Sequence, residues 1–209
     1  VPTPDRTDWL LSLARDAAPA PRPARALVID ADGVARGVPF IASPNHDARP
    51  PGTALTLVVI HGISLPPGEF GGDGVARLFT NTLDPFAHPY FAAIAPLRVS
   101  AHFFVRRDGA LQQFVACRER AWHAGASRWQ GRERCNDFSI GIELEGTDDV
   151  PYEDAQYTTL ARLLEALKVR YPTLAAAVGH SDVAPGRKTD PGPHFDWPRL
   201  AGLVGARTL

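Results

Sequence analysis

The chain has 209 residues, 44% of them hydrophobic and 22% charged, with a formal net charge of -1. This balance is typical of a globular protein with a sizeable core, and it argues against nucleic acid or an anionic membrane as a partner. No run approaches the ~20 apolar residues of a membrane helix. The two cysteines, Cys117 and Cys135, form no Cys-x-x-Cys motif. We therefore expect reduced thiols and a cytoplasmic protein.

The first 35 residues are predicted to be an N-terminal extension, and the main domain is expected to cover residues 36–209. A short helix is predicted over residues 8–16, and the Ala-Pro-Ala-Pro-Arg-Pro segment that follows is typical of an extended linker. Residues 43–52, which are rich in proline and polar side chains, are predicted to form a loop.

The clearest predicted strand is Leu55–His61, a nearly continuous apolar run. Such a run is typical of a strand buried on both faces in the centre of an α/β sheet. Gly62 is predicted to end this strand. A short helix is predicted over residues 73–81, after a loop rich in proline and glycine.

A β-hairpin is predicted where Asp108-Gly109 separates two strand-like runs, 101–106 and 110–115. A further strand is predicted over 139–145. Its alternating pattern, S-I-G-I-E-L-E, places the isoleucines on one face and the glutamates on the other.

The longest predicted helix covers residues 154–171, where leucines recur at helical spacing until Pro172. A short strand is predicted over 177–180, and the rest of the chain to residue 197 is predicted to be loop. Strands mixed with a few helices predict a single layered α/β domain.

Three residues could together hold a metal ion. His61 ends a buried strand, where α/β proteins often place functional groups. His180 ends the predicted strand 177–180, and Asp190 follows ten residues later. Two imidazoles and a carboxylate leave one position of a tetrahedral zinc site open, which is the catalytic arrangement. The spacing alone is a weak signal, because each histidine taken singly is more often structural.

Two further residues could act on a substrate at such a metal. Lys188 and Asp190 are two residues apart, so an extended segment would point both to one side, where the lysine could stabilise an oxyanion. Glu143 lies in mid-strand between apolar neighbours and could serve as a general base. Glu145, nearer the strand end, better fits an exposed sheet face. A solvated surface lysine is the alternative for Lys188.

Other residues could contact a substrate. Trp122-His123-Ala124-Gly125 is predicted to form a loop that lines a groove. Arg98 and Arg134, together with Arg132, could bind carboxylates through two parallel hydrogen bonds. Each arginine could equally be an ordinary surface charge.

Long motifs run through most of the chain. They are V-V-I-H-G-I-S-L-P-P-G-E-F-G-G at 58–72, R-V-S-A-H-F at 98–103, A-W-H-A-G at 121–125, Q-G-R-E-R-C-N-D-F-S-I-G-I-E-L-E-G-T-D at 130–148 and G-H-S-D-V-A-P-G-R-K-T-D-P-G-P at 179–193. With these motifs the chain resembles, over about residues 43–197, the zinc amidase family that includes phage lysozyme-like amidases and peptidoglycan recognition proteins. Within that family it is most similar to the 1,6-anhydro-N-acetylmuramyl-L-alanine amidases.

The resemblance implies a fold, a metal site and an activity. The fold would be a central mixed β-sheet flanked by α-helices, with one zinc ion at the floor of a groove. The activity would be hydrolysis of the amide between (1,6-anhydro-)N-acetylmuramic acid and L-alanine in muropeptides, during cytoplasmic peptidoglycan recycling. A small-molecule muropeptide would be the partner, and no obligate protein partner is expected. The implied residues are the zinc ligands His61, His180 and Asp190, the catalytic pair Glu143 and Lys188, and the substrate contacts Arg98 and Arg134. His123, in the loop predicted to line a groove, is the third candidate substrate contact.

Three other functions fit parts of the sequence. One is a recognition module that binds peptidoglycan without cleaving it, although all five metal and catalytic positions are present. Another is a periplasmic amidase acting on intact peptidoglycan. The third is a cysteine hydrolase using Cys135 and His123, which no motif spacing supports.

Overall fold

The structure is a computed structural model that describes residues 26–204. The strands in this range are β1 (His46–Ala48), β2 (Leu57–Ile63), β3 (Phe103–Val105), β4 (Leu111–Gln113), β5 (Glu119–Ala121), β6 (Arg128–Trp129), β7 (Arg132–Glu133), β8 (Ser139–Glu145) and β9 (Ala176–Gly179). The helices are α1 (Gly74–Phe79), α2 (Phe91–Ile94), α3 (Asp154–Arg170), α4 (His180–Val183) and α5 (Trp197–Val204), with a short 3₁₀ helix at Cys135–Asp137. Within residues 26–204, no helix is long and apolar enough to cross a bilayer.

The central sheet has the strand order β4-β3-β8-β2-β9. Strands β3, β8, β2 and β9 run parallel to one another, whereas β4 returns antiparallel to β3 as the predicted hairpin. This confirms the predicted mixed sheet flanked by helices. Strand β1 pairs with β5, and β6 pairs with β7, outside the central sheet.

Helix α3 covers one face of the central sheet. A capping box between Glu153 and Gln156 starts the helix and satisfies backbone N–H groups of its first turn. The leucines predicted from helical spacing are all buried in the largest core cluster, where they meet the β2 and β8 side chains Val58, Ile60, Ile140, Ile142 and Leu144. Burial of this leucine stripe holds the helix against the sheet.

The other face of β2 and β8 is mixed in character. Leu57 and Val59 pack in a separate apolar cluster, whereas His61, Ser139 and Glu143 are polar and buried. The alternation predicted for residues 139–145 is therefore confirmed, and the polar set occupies the face opposite α3.

Several element boundaries differ from the predictions. Strand β2 does not end at Gly62, because Gly62 and Ile63 still pair with Leu144 and Glu145 of β8. His180 begins helix α4 instead of ending β9. Helix α5 lies in a region for which no element was predicted beyond residue 197, and its apolar positions Leu200 and Val204 are buried.

Glu145 is buried, which is a second departure from the prediction of an exposed sheet face. Its Oε1 accepts a hydrogen bond from Gly71 N at 2.6 Å, and its Oε2 accepts one from Arg107 N at 3.0 Å. Backbone N–H groups thus take the place of water around this carboxylate. The carboxylate in turn ties the loop after β2 to the loop between β3 and β4.

Part of the predicted N-terminal extension packs against the domain. Ile29 and Ala35 pair in an isolated β-bridge and are buried in the largest core cluster. The helix predicted over residues 8–16 lies outside the described residues.

Candidate metal centre and active site

The parallel register of the sheet brings the site residues together. His61 of β2 lies directly beside Glu143 of β8, and Ile60 lies beside Gly179, the last residue of β9. His180 therefore emerges next to His61. Carboxyl ends of adjacent parallel strands are the usual location of functional groups in α/β sheets.

Asp190 reaches the same point from the loop after α4. Its carbonyl oxygen accepts a hydrogen bond from Ser181 N at 3.0 Å, which ties the loop to the start of α4. On the far side of Asp190, the Tyr152 hydroxyl donates to the Pro191 carbonyl at 2.9 Å. Backbone contacts on both sides thus fix the position of the carboxylate.

The three predicted ligand atoms form a compact triangle. His61 Nδ1 lies 2.9 Å from His180 Nδ1 and 3.2 Å from Asp190 Oδ2, and the third side, from His180 Nδ1 to Asp190 Oδ2, is 3.1 Å. Ligand atoms about 2.0–2.1 Å from a shared tetrahedral ion lie roughly 3.3 Å apart. The triangle therefore has the size of one face of such a site. Among residues 26–204, His61, His180 and Asp190 form the group of side chains that could hold a metal ion.

The outward nitrogens of both histidines indicate which atoms face the centre. His180 Nε2 lies 3.2 Å from the Ala124 carbonyl oxygen, which can only accept, so Nε2 carries the proton and Nδ1 presents a lone pair. His61 Nε2 lies 2.9 Å from His123 Nδ1. When His61 Nε2 donates to His123, the Nδ1 of His61 also presents a lone pair. Two nitrogen lone pairs and a carboxylate at this separation then repel one another unless a cation lies between them, so the donor set fits a metal ion.

The acid–base properties of the ligands agree with this picture. Burial lowers the pKa of His61 to about 4, which favours the neutral imidazole that metals require. Burial acts to raise the pKa of Asp190, but the close contacts of its carboxylate with the rings of His180 and His61 outweigh burial and hold that pKa below its usual range. The carboxylate is consequently ionised at neutral pH.

Glu143 faces the same centre. Its Oε1 lies 4.0 Å from His61 Nδ1, and its buried Oε2 has no hydrogen-bond partner within the described residues. Burial, and then the nearby Asp190 carboxylate, raise the pKa of Glu143 well above its usual value, while Lys188 partly opposes this. A buried carboxylate with an unpartnered oxygen beside a metal centre is well placed to accept a proton.

These groups open into a cavity of about 530 Å³. The three candidate ligand residues and Glu143 line its polar part, and Lys188, which is exposed, also lines it. The apolar part of the wall includes Leu65, Leu97 and Trp122. The cavity therefore combines an apolar surface with a few convergent polar groups, as ligand sites usually do.

The predicted substrate residues occupy three different positions. His123 lies at the edge of the cavity and behind His61. Arg98 is exposed and donates to carbonyl groups of its own segment, including Pro96 O at 3.1 Å; it is not among the cavity-lining residues. Arg134 lines a separate depression with Arg128 and Arg187.

One structural residue of the site was missed in the sequence. Asn136 Oδ1 accepts hydrogen bonds from the backbone N–H groups of His123, at 3.3 Å, and Ala124, at 2.8 Å. It thereby holds the loop that supplies outer partners to both candidate histidine ligands. An asparagine in a short 3₁₀ helix carries no sequence signal for this role, because the contact joins residues that only the fold brings together.

Cys135 does not have the environment of a nucleophile. It is fully buried, and burial raises the pKa of its thiol. Reactive cysteines are partly exposed and have a lowered pKa, so the geometry argues against a cysteine hydrolase.

Comparison with known proteins identifies the family. The family described as N-acetylmuramoyl-L-alanine amidase matches residues 51–193. The 1,6-anhydro-N-acetylmuramyl-L-alanine amidase AmpD of Citrobacter freundii is 61% identical over 171 residues, which is 81% of this chain and 90% of that protein. A crystal structure of a selenomethionine derivative of AmpD superimposes with a TM-score of 0.83 at 57% identity, covering 85% of this chain and 99% of that one.

A ligand-bound structure is also similar. AMPDH3 from Pseudomonas aeruginosa, in complex with anhydromuramic pentapeptide, superimposes with a TM-score of 0.53 at 31% identity and covers 74% of this chain and 61% of that one. The family match spans well over half of the chain and includes every predicted ligand and catalytic residue. The chain therefore belongs to the N-acetylmuramoyl-L-alanine amidase family.

Proposed function

We propose that this protein is a zinc-dependent amidase that hydrolyses the bond between 1,6-anhydro-N-acetylmuramic acid and L-alanine in muropeptides. The observation that carries the proposal is the convergence of His61, His180 and Asp190 beside Glu143 at the floor of one cavity. The preference for the anhydro sugar is supported by relatives of about 60% identity whose names state that substrate. The similar AMPDH3 structure holds an anhydromuramic pentapeptide.

Zinc is the metal that we assign to the site. Two imidazoles and one carboxylate are common ligands of catalytic zinc, and the arrangement leaves a fourth position for water or substrate. When bound, zinc lowers the pKa of a water molecule toward about 7 and polarises a carbonyl oxygen.

The protein's own groups carry the proton transfers. Glu143 accepts a proton from the attacking water, since its raised pKa makes it a stronger base than an ordinary carboxylate. It then returns the proton to the leaving alanine nitrogen. Lys188 lines the cavity, and its ammonium group would stabilise the negative charge that develops on the former carbonyl oxygen.

Substrate contacts form the remaining part of the proposal. Arg98 and Arg134 would hold carboxylates of the peptide, and His123 would contact substrate at the edge of the cavity. Replacing either arginine by alanine should raise KM and leave kcat largely unchanged, because a contact made equally in the ground state and transition state affects binding alone. We place the reaction in the cytoplasmic recycling of peptidoglycan, with no obligate protein partner, as the sequence resemblance implies.

The first test is mass spectrometry of anhydro-muramyl tripeptide incubated with the purified protein, alone, with a chelator, and with zinc restored. Free tripeptide should appear, disappear with the chelator and return with zinc. Intact peptidoglycan is the matched second substrate. No cleavage of either substrate by folded, zinc-loaded protein would contradict the proposal and favour a recognition module. Cleavage of peptidoglycan alone would contradict the substrate assignment.

A further inference from the structure

We propose that His123 is a positioning residue of the metal centre, holding His61 in its metal-binding tautomer through a side-chain relay that ends at Ser139. This inference rests on the proposed zinc site, although not on the identity of the substrate. His123 also lines the cavity, so a contact with substrate would be a second role of the same ring.

The relay follows from two distances. His61 Nε2 lies 2.9 Å from His123 Nδ1, and His123 Nε2 lies 3.2 Å from Ser139 Oγ. If His61 Nδ1 binds the metal, its proton must be on Nε2, and that N–H can donate to His123 Nδ1. His123 then carries its own proton on Nε2 and donates it to the serine oxygen. Each donated proton in this relay has one acceptor, and neither imidazole ring needs a positive charge.

The environment fixes the orientation of the His123 ring. It meets the His61 ring edge-on, with centroids 5.0 Å apart and an interplanar angle of 86°. On its other side lies Gly141, where a methyl group would overlap the imidazole. Glycine weakens the interior of a strand and is expected where another group approaches closely. Its place in the middle of β8 is thus explained by the room that His123 requires.

The two histidine ligands are supported in different ways. The outer partner of His180 is a backbone carbonyl, Ala124 O, which no substitution removes directly. The outer partner of His61 is a side chain, so it can be exchanged. Loss of such an outer hydrogen bond typically weakens metal affinity by about 10- to 100-fold. His123 should therefore influence zinc affinity before any substrate is present.

The test uses three substitutions that separate the two nitrogens of the ring. His123→Asn keeps an acceptor close to the position of Nδ1, facing His61. His123→Gln reaches the position of Nε2, facing Ser139, and provides no acceptor at Nδ1. His123→Leu fills a similar volume and provides neither. Zinc dissociation constants are measured on the full chain by competition with a chelator, and thermal unfolding of the metal-free proteins reports the fold.

We expect zinc binding about 10- to 100-fold weaker in the leucine and glutamine variants and nearly restored in the asparagine variant. The visible spectrum of the cobalt-substituted protein should change in the same order, since it reports ligand geometry. Ser139→Ala should weaken zinc binding less than His123→Leu, because it removes only the far end of the relay.

Unchanged zinc affinity in folded His123→Leu or His123→Gln protein would overturn the inference. So would an asparagine variant as weak as the leucine variant. Should the leucine variant fail to fold, the comparison of the glutamine and asparagine variants decides alone. If zinc affinity depends on His123 but the protein does not hydrolyse muropeptides, the inference is supported and the proposed function is contradicted. If the protein hydrolyses muropeptides but its zinc affinity does not depend on His123, the proposed function is supported and the inference is contradicted.

Discussion

The two faces of strands β2 and β8 differ in chemical character, although they share one backbone. Toward α3, every second residue is aliphatic and almost fully buried, as with Ile60 and Ile142. Toward the cavity, the alternate positions carry His61, Glu143 and Ser139, which are also buried but polar. The first face gains free energy from burial. The second loses some through desolvation, which only hydrogen bonds or a bound cation could offset.

This difference indicates where stability and function reside. We expect substitutions on the α3 face to act mainly on folding, and substitutions of the polar residues on the cavity face to act mainly on metal binding or catalysis. Functional sites are where a chain departs from the rules that make it stable. The following experiments test whether the division holds, beginning with the largest expected effect.

Asp190→Ala should give the largest loss of zinc affinity, with no comparable loss of folding stability. Losing a hydrogen bond to a ligand typically weakens zinc binding by up to about 100-fold. Asp190→Ala should exceed this, because it removes a proposed ligand itself. Chelator competition measures the affinity, and Asp149→Ala, at an exposed position, is the control. Near-normal zinc affinity and activity in Asp190→Ala would disprove the ligand assignment.

Glu143→Gln should separate chemistry from metal binding. The hydrolysis rate is expected to fall by about 10²- to 10⁴-fold, the usual contribution of a general base, with zinc still bound. The metal-free variant should also unfold at a higher temperature than the parent at pH 8, because a buried carboxylate with a raised pKa has been neutralised. Steady-state kinetics and thermal unfolding measure the two effects. A rate close to that of the parent would exclude the proposed base.

Ile142→Ala should produce the opposite pattern. Removing these buried methyl groups beneath α3 is expected to lower the free energy of unfolding by about 2–5 kcal/mol, while the zinc dissociation constant stays unchanged. Denaturant titration provides the measurement. Val169→Ala, on the exposed side of α3, is the matched control and should have almost no effect. A large loss of zinc affinity in folded Ile142→Ala would mean that the two faces are coupled.

A smaller, pH-dependent effect is expected from His102. Its Nδ1 accepts a hydrogen bond from Gly141 N at 3.0 Å, and burial, followed by the nearby Arg49, lowers its pKa to about 3. Between pH 6.5 and 3 the unfolded chain binds a proton that the folded protein excludes. Stability should therefore be unaffected by His102 well above pH 6.5 and fall by up to about 1.4 kcal/mol per pH unit below it.

His102→Asn tests this effect, because it keeps an acceptor near Nδ1 and cannot titrate. The free energies of unfolding of the metal-free parent and variant are compared between pH 8 and pH 5, so that metal release contributes to neither. The parent should lose more stability as the pH falls. Parallel pH profiles would show that His102 is not held neutral.

Much of the α3 face could be predicted from the sequence. The leucine spacing of 154–171 and the alternation in 139–145 are local patterns, and each follows from burying one side of an element. The candidate metal and catalytic residues follow from a weak local signal together with long family motifs. Their convergence depends on the order of parallel strands, which no local pattern contains.

Errors arose where tertiary contacts override local patterns. Gly62 looked like a strand end, but pairing with β8 continues the strand beyond it. Glu145 looked solvated, yet backbone donors from two distant loops surround it. Both errors concern partners far away in the chain.

Asn136 has a consequence for reading related sequences. One amide oxygen fixes two consecutive peptide groups, and the loop that it fixes supplies the outer partners of both proposed histidine ligands. On the proposed assignment, a homologue could retain all three ligands, the base and the lysine and still bind metal poorly after losing this one uncharged side chain. Judging such a protein as an enzyme from those five residues would miss the support on which two of them depend.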